Sequence, residues 1–257
     1  MSPQETHHEI KLLAWNILHG GGPERTPWIG LAMVEQAPDI VVLSEFRARR
    51  GGQLRAQLAD AGLVSQVASQ VGPTRNGMLL ASRFELSHVL DAAHGRMLCA
   101  SVLGVRVIGV HVPDDQSLPK KAAFFQQLTA LARQEREKPC VILGDFNTAR
   151  RGPDTDQRAF RLEEKLGLLE TLGFVDAWRR HHPGRREDSW VSALGAGRLD
   201  GAYVSAPLAH AVTDARYEHG PREQGLSDHS MLCVRLRVGV HRVAEGLGNG
   251  LFGAGGA

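Results

Sequence analysis

The sequence predicts an α/β fold in which two mixed β-sheets pack face to face and helices cover their outer faces. Predicted strands outnumber predicted helices, and several strands are joined by short turns. Near the N-terminus a strand, a helix and a second strand follow one another within about 35 residues, which is typical of layered α/β units. Together these observations favour a pair of packed mixed sheets over a singly layered parallel sheet.

The composition sets the expected domain organisation. The 257 residues carry a formal net charge of +2, and 42% of them are hydrophobic. A chain of this length can bury a large core, and its nearly balanced charge does not by itself indicate nucleic acid as a partner. No Pro/Ser-rich linker divides it. We therefore expect one domain over residues 10–238, a flexible polar N-terminus over 1–9, and a disordered Gly-rich tail over 239–257.

The cysteines and the N-terminus bear on the cellular compartment. Cys99, Cys140 and Cys233 each lie in or beside an apolar run, which predicts buried, reduced thiols. They show neither a disulfide framework nor the spacing of zinc ligands. The first nine residues lack a signal-peptide pattern, and no apolar run approaches the roughly 18 residues of a membrane span. The expectation is a cytoplasmic monomer without a membrane partner.

The first half of the chain alternates strands and helices. Residues 10–16 form a predicted strand that ends on the amide of Asn16. Apolar residues at helical spacing predict a helix over 28–36, and 40–45 is a second buried strand, which ends on the carboxylate of Glu45. The other elements of this half are predicted as a helix over 53–61 and strands over 64–71 and 77–82.

The second half contains the same types of element. Strands over 97–102 and 105–111 flank a Leu-Gly turn, and the second of them ends on His111. Residues 120–134 are the best predicted helix because Phe124 and Leu128 belong to one apolar stripe. The other elements are predicted as a strand ending at Asp145, a helix over 158–172, and strands over 189–192, 198–205 and 231–238.

The stretch Val-Ile-Leu-Gly-Asp-Phe-Asn-Thr at 141–148 is the one around which the chain is organised. Three apolar residues predict a strand buried on both faces, and it runs directly into a polar end. Gly144 lets the backbone turn without a Cβ, so that Asp145 and Asn147 can both emerge at that end. The competing interpretation is a plain strand followed by an Asx-turn. Several other strands that end on polar residues weigh against it.

The residue types at these strand ends predict the chemistry. The set consists of Asn16, Glu45, His111, Asp145, Asn147, Asp200, Ser227, Asp228 and His229. Carboxylate and amide oxygens without paired cysteines suit Mg²⁺ or Mn²⁺, and a carboxylate not bound to the metal can take a proton from water. Histidine and asparagine donors can stabilise charge on phosphoryl oxygens. The sequence contains neither a Gly-x-Ser-x-Gly motif nor a P-loop. The pattern favours metal-assisted attack of water on a phosphoester.

Six short motifs in chain order resemble the endonuclease/exonuclease/phosphatase superfamily. They are Trp15-Asn16, Ser44-Glu45, His111-Val112-Pro113, Gly144-Asp145-Phe146-Asn147, Arg198-Leu199-Asp200 and Ser227-Asp228-His229. The match spans residues 10–238. The segment 174–179, followed by His182-Pro183 and Ser189-Trp190, is most similar to the exonuclease III and abasic-site endonuclease branch. The resemblance implies a four-layered α/β sandwich and an enzyme of DNA repair.

The resemblance also implies how a metal would be held. Glu45 would be the principal ligand of the ion, with Asn16 beside it. Asp228 would lie near the metal or at a second metal position. Among the alternatives that remain open, Glu45 could be a surface salt-bridge partner, and Ser227 with Asp228 could form a turn or a helix N-cap.

The catalytic roles implied by the resemblance fall on five residues. Asp145 would position or deprotonate the attacking water, and Asn147 would hold a phosphate oxygen. His229 would stabilise the charge that develops on the scissile phosphate, and Asp200 would hold it in orientation. His111 stands where this branch has a tyrosine and other branches a histidine, so it is expected to contact phosphate. Its open alternative is a residue that merely ends an edge strand.

Four further residues are predicted to contact substrate. Arg47 begins an Arg-rich stretch after Glu45, which suits a phosphate-rich substrate or else forms a solvated face. Asp176 is either a structural acid that fixes a loop or a contact in the site. Ser227 and Arg198 belong to the matched motifs and complete the set.

Three departures from the branch bear on its substrate, and one is that a chain with a net charge of +2 and 5% aromatic residues has no obvious stacking platform for single strands. The acidic residue that the branch carries two positions after the first asparagine is Leu18 here, and a Gly-Gly-Gly loop follows, so one metal contact is missing or is supplied by water. The branch also has a long aromatic-bearing loop that encloses an abasic sugar. Here only seven small or aliphatic residues separate Trp190 from Arg198. The short connection therefore disfavours an enclosed pocket for an abasic sugar.

These observations leave three hypotheses. The leading one is a Mg²⁺- or Mn²⁺-dependent nuclease that cuts DNA at 3′ ends, nicks or abasic sites. The second is a phosphodiesterase or phosphatase that acts on a small molecule or a lipid headgroup, which the shortened loop favours. The third is a non-catalytic DNA-binding or scaffold protein. It is disfavoured because the acidic and histidine residues of the motifs are all present.

Overall fold

Two six-stranded mixed sheets and one two-stranded ribbon form the β-structure of the computed structural model, which describes residues 7–157 and 159–239. The strands are β1 (His7–Asn16), β2 (Ile40–Phe46), β3 (Ser65–Ala68), β4 (Gly77–Ser82), β5 (Ser87–Ala92), β6 (Met97–Val102), β7 (Val105–His111), β8 (Cys140–Asp145), β9 (Val175–Asp176), β10 (Trp190–Ser192), β11 (Gly195–Gly197), β12 (Asp200–Val204), β13 (Val212–Glu218) and β14 (Met231–Gly239). The helices are α1 (Gly22–Glu35), α2 (Gly52–Asp60), α3 (Leu118–Glu135), α4 (Glu164–Thr171), α5 (Ala177–His181), α6 (Ala206–Ala209) and α7 (Gly220–Glu223).

The two large sheets are built in the same way. The first has the order β13-β14-β1-β2-β4-β3, and the second has the order β5-β6-β7-β8-β12-β9. Each contains one parallel pair near its centre, β1 with β2 and β7 with β8, and antiparallel strands flank both pairs. Both parallel pairs end at the same end of the molecule, where β1 contacts β8 across the gap between the sheets.

Three apolar clusters divide the molecule into four layers. Alternate side chains of both sheets, such as Leu12 and Leu143, form the cluster between the sheets. The opposite face of the first sheet packs on α1 and α2 through residues such as Ile29 and Leu54, and that of the second packs on α3 and α4 through residues such as Phe125. The predicted four-layered α/β sandwich, with two mixed sheets inside and helices outside, is confirmed.

The next-to-last residue of β8, Gly144, occupies a position that only glycine can fill without strain. Its φ angle is +136°, and a Cβ at this position would lie 2.2 Å from the carbonyl oxygen of Val110 in the neighbouring strand. The close approach of β7 and β8 therefore depends on the missing side chain, and the positive φ angle fits the predicted need for a residue without a Cβ at this position. The three cysteines are buried and unpaired.

Several predicted boundaries are wrong. The helix expected over 158–172 begins only at Glu164, because Leu162 has a φ angle of +62° and Phe160 instead packs in a small separate cluster with Trp190. The strand expected over 64–71 is the shorter β3, and the one expected over 198–205 begins at Asp200.

The described residues test only part of what was predicted for the two ends of the chain. β1 begins at His7, so residues 7–9 of the expected flexible N-terminus lie in a strand. Residues 1–6 lie outside the described part of the chain, as does the expected Gly-rich tail after Gly239. No helix among the described residues is long and apolar enough to cross a membrane.

Candidate active site

Polar residues from both sheets meet at the ends of the two parallel strand pairs. Asn16 and Glu45 lie at the ends of β1 and β2 in the first sheet. His111 and Asp145 end β7 and β8 in the second sheet, where they are paired directly. The antiparallel strand β12 places Asp200 opposite Asp145. The strand ends thus bring together residues that lie up to 184 positions apart within 16–200.

Asp145 lies at the centre of this cluster and is 1% exposed. Its Oδ1 accepts a hydrogen bond from the Asn147 backbone at 2.8 Å, and its Oδ2 accepts one from Asn16 Nδ2 at 2.9 Å. The Nε2 atoms of His111 and His229 both lie 3.9 Å from Oδ2. Burial raises the pKa of Asp145 to about 7, although His229 opposes the rise. The carboxyl group can therefore exchange a proton near neutral pH.

Glu45 has an unusual backbone conformation. Its φ angle is +59°, and the register of β2 against β4 shifts between Ser44 and Phe46, as in a β-bulge. A left-handed conformation in a non-glycine residue is strained, and such strain is concentrated at functional sites. The bulge turns the carboxylate into the cleft, where Oε1 lies 3.4 Å from Asn16 Nδ2 and 3.8 Å from His111 Nε2.

His229 is held by a chain of buried hydrogen bonds. Its Nδ1 lies 2.9 Å from Asp200 Oδ2, and Ser189 donates its hydroxyl to the same oxygen at 2.7 Å. Burial alone would lower the pKa of His229, but the carboxylates of Asp200 and Asp145 outweigh it and raise the pKa to about 10. His229 is therefore an imidazolium whose free Nε2 faces Asp145.

His111 has the opposite electrostatic character. Burial and the neighbouring Arg96 guanidinium hold its pKa well below the usual range, so that its imidazole is neutral. Arg96 Nη1 lies 3.3 Å from His111 Nδ1. The site therefore contains one charged and one neutral histidine, and both face the same carboxylate oxygen.

A buried lysine holds the loop after β8 in place through a hydrogen bond to its backbone. Asn147 has a φ angle of +44°, and its Nδ2 donates to the Val112 carbonyl at 2.9 Å and contacts Asp145 Oδ2 at 3.3 Å. Lys121 is fully buried, and it donates to the Asn147 carbonyl at 2.8 Å and to Asp115 at 2.6 Å. In this conformation the Asn147 amide orients Asp145, whereas the sequence predicts that it holds a phosphate oxygen.

Ser227 and Asp228 lie in the segment just before β14 and form hydrogen bonds to the residues around the site. The Ser227 hydroxyl donates to the Asn16 carbonyl at 2.6 Å and accepts from the His229 backbone at 3.1 Å, so it braces the site and does not line the cleft. Asp228 lines the cleft, and its Oδ2 accepts from Trp190 Nε1 at 3.0 Å. The other oxygen, Oδ1, is buried and has no hydrogen-bond partner.

The structure places Asp176 and Arg198 outside the cleft, in a buried ionic network. Arg198 bonds to Asp154 at 2.9 Å and to Asp176 at 2.7 Å, and its guanidinium stacks on Trp178. Asp176 also caps α5 by accepting from the Arg179 backbone at 3.0 Å. Both side chains are 3% exposed, so their contacts are structural and the predicted substrate contact has no support from their position.

The two ends of the cleft differ in charge. Arg96 lines one end of the cleft and Arg47 bonds to Asn76 in its wall, while the loops that precede β4 and follow β2 also carry three exposed arginines. We call these five the basic edge: Arg47, Arg49, Arg50, Arg75 and Arg96. Its loops are joined by hydrogen bonds from the Arg49 backbone to the Pro73 carbonyl at 2.8 Å and from Arg47 Nε to Asn76 at 2.6 Å. At the other end, the ribbon of β10 and β11 presents the apolar side chain of Leu194, which is 75% exposed.

The donor set fits a hard divalent cation. Glu45 Oε1 faces the cleft, and the buried Oδ1 of Asp228 lacks a partner, which is costly for a carboxylate oxygen unless a cation or water meets it. Asp145, Asp200 and His229 have ligand atoms within 4.8 Å of one another, but Asp200 and His229 are already bonded to each other. A cation therefore fits better beside Glu45 than among those three.

The sequence prediction misses several residues around the site, among them His19, Asn76, Arg96 and Ser189. Three of them share a signal that could have found them. Asn76, Arg96 and Ser189 each immediately precede a strand, β4, β6 and β10 respectively. A strand antiparallel to the site-bearing strands begins at the edge where those strands end, so a polar residue just before it falls in the site, as Asn76 and Arg96 do.

Comparison with known proteins places this arrangement among nucleases and phosphatases. The sequence model of the Endonuclease/Exonuclease/phosphatase family matches residues 13–229. The structure is similar to that of the 3′ phosphatase NExo from Neisseria bound to product DNA hairpin, with 27% identity, a TM-score of 0.78, and coverage of 88% of this chain and 99% of that one. A second structure, the 3′-5′ exonuclease NExo from Neisseria meningitidis, matches with a TM-score of 0.77 at the same identity and coverage.

A third structure extends the likeness in fold. The AP endonuclease from Archaeoglobus fulgidus has 23% identity and a TM-score of 0.77, with coverage of 89% of this chain and 100% of that one. No curated protein sequence matches the chain.

Proposed function

The chain belongs to the endonuclease/exonuclease/phosphatase family, and we propose that it is a divalent-metal-dependent phosphoesterase that hydrolyses DNA at 3′ ends, nicks or abasic sites. The observation that carries the proposal is the position of Asp145 Oδ2, which lies 3.9 Å from the Nε2 atoms of both His229 and His111. A water and a phosphoryl group placed between these atoms would meet a base, a cationic donor and a neutral imidazole.

Glu45 and Asn16 would hold a Mg²⁺ or Mn²⁺ ion, and Asp228 would lie near it or at a second metal position. When bound, the ion would neutralise charge on the phosphate and help to orient it. The proposal draws support from the oxygen-rich donor set and from the partnerless Asp228 oxygen.

The protein's own residues carry the proton and the charge. Asp145 takes a proton from the attacking water, whose oxygen bonds to phosphorus while the bond from phosphorus to the leaving oxygen breaks. The imidazolium of His229 donates a hydrogen bond to the phosphoryl oxygen on which negative charge develops. Asp200 keeps His229 charged and oriented, and His111 lines the opposite side of the phosphate.

DNA is the proposed substrate for two reasons. The basic edge offers exposed guanidinium groups on the loops that adjoin the cleft wall, as a phosphate backbone requires. The two Neisseria structures, at 27% identity, are described as a 3′ phosphatase with bound DNA and a 3′-5′ exonuclease. A cytoplasmic location and a monomeric state remain predictions from the sequence.

A panel of substrates tests the function. Purified protein with Mg²⁺ or Mn²⁺ is incubated with a duplex that bears a 3′-phosphate, a nicked duplex, a blunt duplex and a duplex with an abasic site. We expect hydrolysis of at least one, with loss of activity in EDTA. Absence of hydrolysis on all four would refute the proposal.

A small phosphoester is the second candidate substrate. The connection between β10 and β11 has only two residues and carries Leu194 where the branch has a long aromatic loop, so the wall that would enclose an extruded sugar is short. Release of phosphate from small esters at a rate unaffected by competitor DNA would favour this candidate. It would equally disfavour a non-catalytic DNA-binding role.

Replacing His229 with alanine is expected to lower kcat at least about 10²-fold, because one charge-stabilising donor is lost. The loss is measured with saturating substrate and divalent ion. The unfolding temperature of the variant serves as the control for folding. A kcat within a few-fold of wild type would show that His229 does not contact the reacting phosphate.

Reversing charge on the basic edge is expected to weaken DNA binding and leave the chemical step intact. The double variant Arg49→Glu/Arg50→Glu should raise KM for DNA without changing kcat. The slope of log KM against log salt should become shallower by about 1 for each lost phosphate contact. The matched control is Arg133→Glu/Arg136→Glu, at the C-terminal end of α3 and away from the cleft. Equal effects of both pairs would argue for a nonspecific role of charge.

A further inference from the structure

One oxygen of Glu45 is surrounded by hydrogen-bond donors. Oε2 accepts from the His19 backbone N–H at 2.7 Å and from Asn76 Nδ2 at 2.9 Å, and His19 Nδ1 lies 2.7 Å away. The other oxygen, Oε1, has only long contacts, of 3.4 Å with Asn16 Nδ2 and 3.8 Å with His111 Nε2. The two oxygens are therefore unequal, since Oε2 is fully engaged within the protein and Oε1 is left for a ligand.

The donors to Oε2 are themselves fixed in place. Arg47 Nε donates to Asn76 Oδ1 at 2.6 Å, which orients the Asn76 amide so that its Nδ2 faces Glu45. Asn76 Nδ2 also lies 3.1 Å from His19 Nδ1, so the amide and the imidazole are packed side by side against the same carboxylate oxygen. Arg47 is thus engaged with a neighbouring side chain, in addition to its place on the basic edge.

We propose that His19, Asn76 and Arg47 form a clamp that permits Glu45 to bind a divalent cation through Oε1 alone. The inference rests on the proposed function, because it concerns the ion that Glu45 would hold. The sequence of the first motif supplies a reason for such a clamp, since Leu18 stands where the related branch has an acidic ligand. With one carboxylate fewer, the geometry of the remaining one has a larger influence on the site.

A carboxylate limited to one oxygen discriminates between cations. Mg²⁺ is small and requires near-ideal octahedral geometry, which single-oxygen carboxylate binding satisfies. Ca²⁺ accepts six to eight ligands and readily takes both oxygens of a carboxylate. The clamp therefore favours Mg²⁺ over Ca²⁺, and His19 and Asn76 act as positioning residues that determine metal selectivity.

Metal binding measured without turnover tests the clamp. Binding of Mn²⁺ is followed by the loss of the free-ion EPR signal, and Mg²⁺ and Ca²⁺ are then titrated as competitors. In the Asn76→Ala and His19→Ala/Asn76→Ala variants we expect Mg²⁺ affinity to fall about 10-fold or more while Ca²⁺ affinity changes by less than about 3-fold. The ratio of the two affinities should therefore fall.

Three comparisons keep the result interpretable. The His210→Ala variant, which removes an exposed histidine at the end of α6, should leave both affinities unchanged. An equal fall in Mg²⁺ and Ca²⁺ affinity in the clamp variants, or no fall at all, would overturn the clamp while the proposed function stands. Failure of the wild-type protein to bind Mn²⁺ would overturn the metal-dependent function and the clamp together.

Discussion

Replacing Asp145 with asparagine is expected to lower kcat at least about 10²-fold, since the side chain could no longer take a proton from the attacking water. Asparagine keeps the size of the group and one oxygen able to accept from the Asn147 backbone. The loss should therefore appear in kcat and only weakly in KM. Single-turnover hydrolysis of a 3′-phosphorylated or nicked duplex with saturating Mn²⁺ measures it.

Two measurements on the Asp145→Asn protein separate chemistry from structure. Its Mn²⁺ affinity should stay close to that of wild type if Glu45 and Asn16 hold the ion, and its thermal unfolding should remain cooperative. A variant that binds Mn²⁺ normally and still hydrolyses DNA at the wild-type rate would exclude Asp145 as the base.

Of the variants proposed in these experiments, Asp154→Ala should lose the most free energy of unfolding. The carboxylate is 1% exposed and pairs with Arg198, Arg179 and Arg150 at 2.7 to 3.1 Å. In the Asp154→Ala variant the buried Arg198 keeps only Asp176 as an ionic partner. Breaking a buried pair from one side typically costs about 3–5 kcal/mol, and we expect a decrease of that size in the free energy of unfolding by urea.

The chain offers a matched control two residues away. Asp156 pairs with Arg186, but both side chains are more than half exposed. An exposed pair of this kind contributes about 0–1 kcal/mol, so Asp156→Ala should leave the free energy of unfolding almost unchanged. Similar losses in the two variants would mean that burial does not determine the effect.

The same pairing makes stability depend on pH. Burial alone would raise the pKa of Asp154, but Arg198 and Arg150 outweigh it and hold the pKa below its usual value. The stabilisation is therefore complete above the unfolded pKa of about 4 and is lost as pH falls through the lower folded pKa. Below pH of about 4 the wild-type free energy of unfolding should fall more steeply with acid than that of Asp154→Ala.

The strand ends were the predictable part of the site, for a physical reason. An apolar run that stops at a polar residue identifies both a buried strand and the edge at which it ends. Two such strands that run parallel must end at the same edge, which is why Asn16 and Glu45 meet, and likewise His111 and Asp145.

The remaining contacts depend on tertiary structure that local sequence does not encode. His19 and Asn76 lie in separate loops, and only the bulge at Glu45 brings them to one oxygen. Arg198 and Asp176 belong to family-like motifs, yet their side chains turn to the interior because Asp154 is there to pair with Arg198. A motif gives a residue's place along the chain, whereas its partners give the direction of its side chain.

Opposite layers contribute the two halves of the chemistry. The residues expected to hold the ion, Asn16 and Glu45, project from the first sheet, and the expected base, Asp145, projects from the second. Hydrogen bonds from Asn16 to Asp145 and between His229 and Asp200 span the seam between them. Neither layer holds the whole of the proposed constellation, so a displacement of one sheet along the other would separate the proposed metal ligands from the proposed base without unfolding either layer.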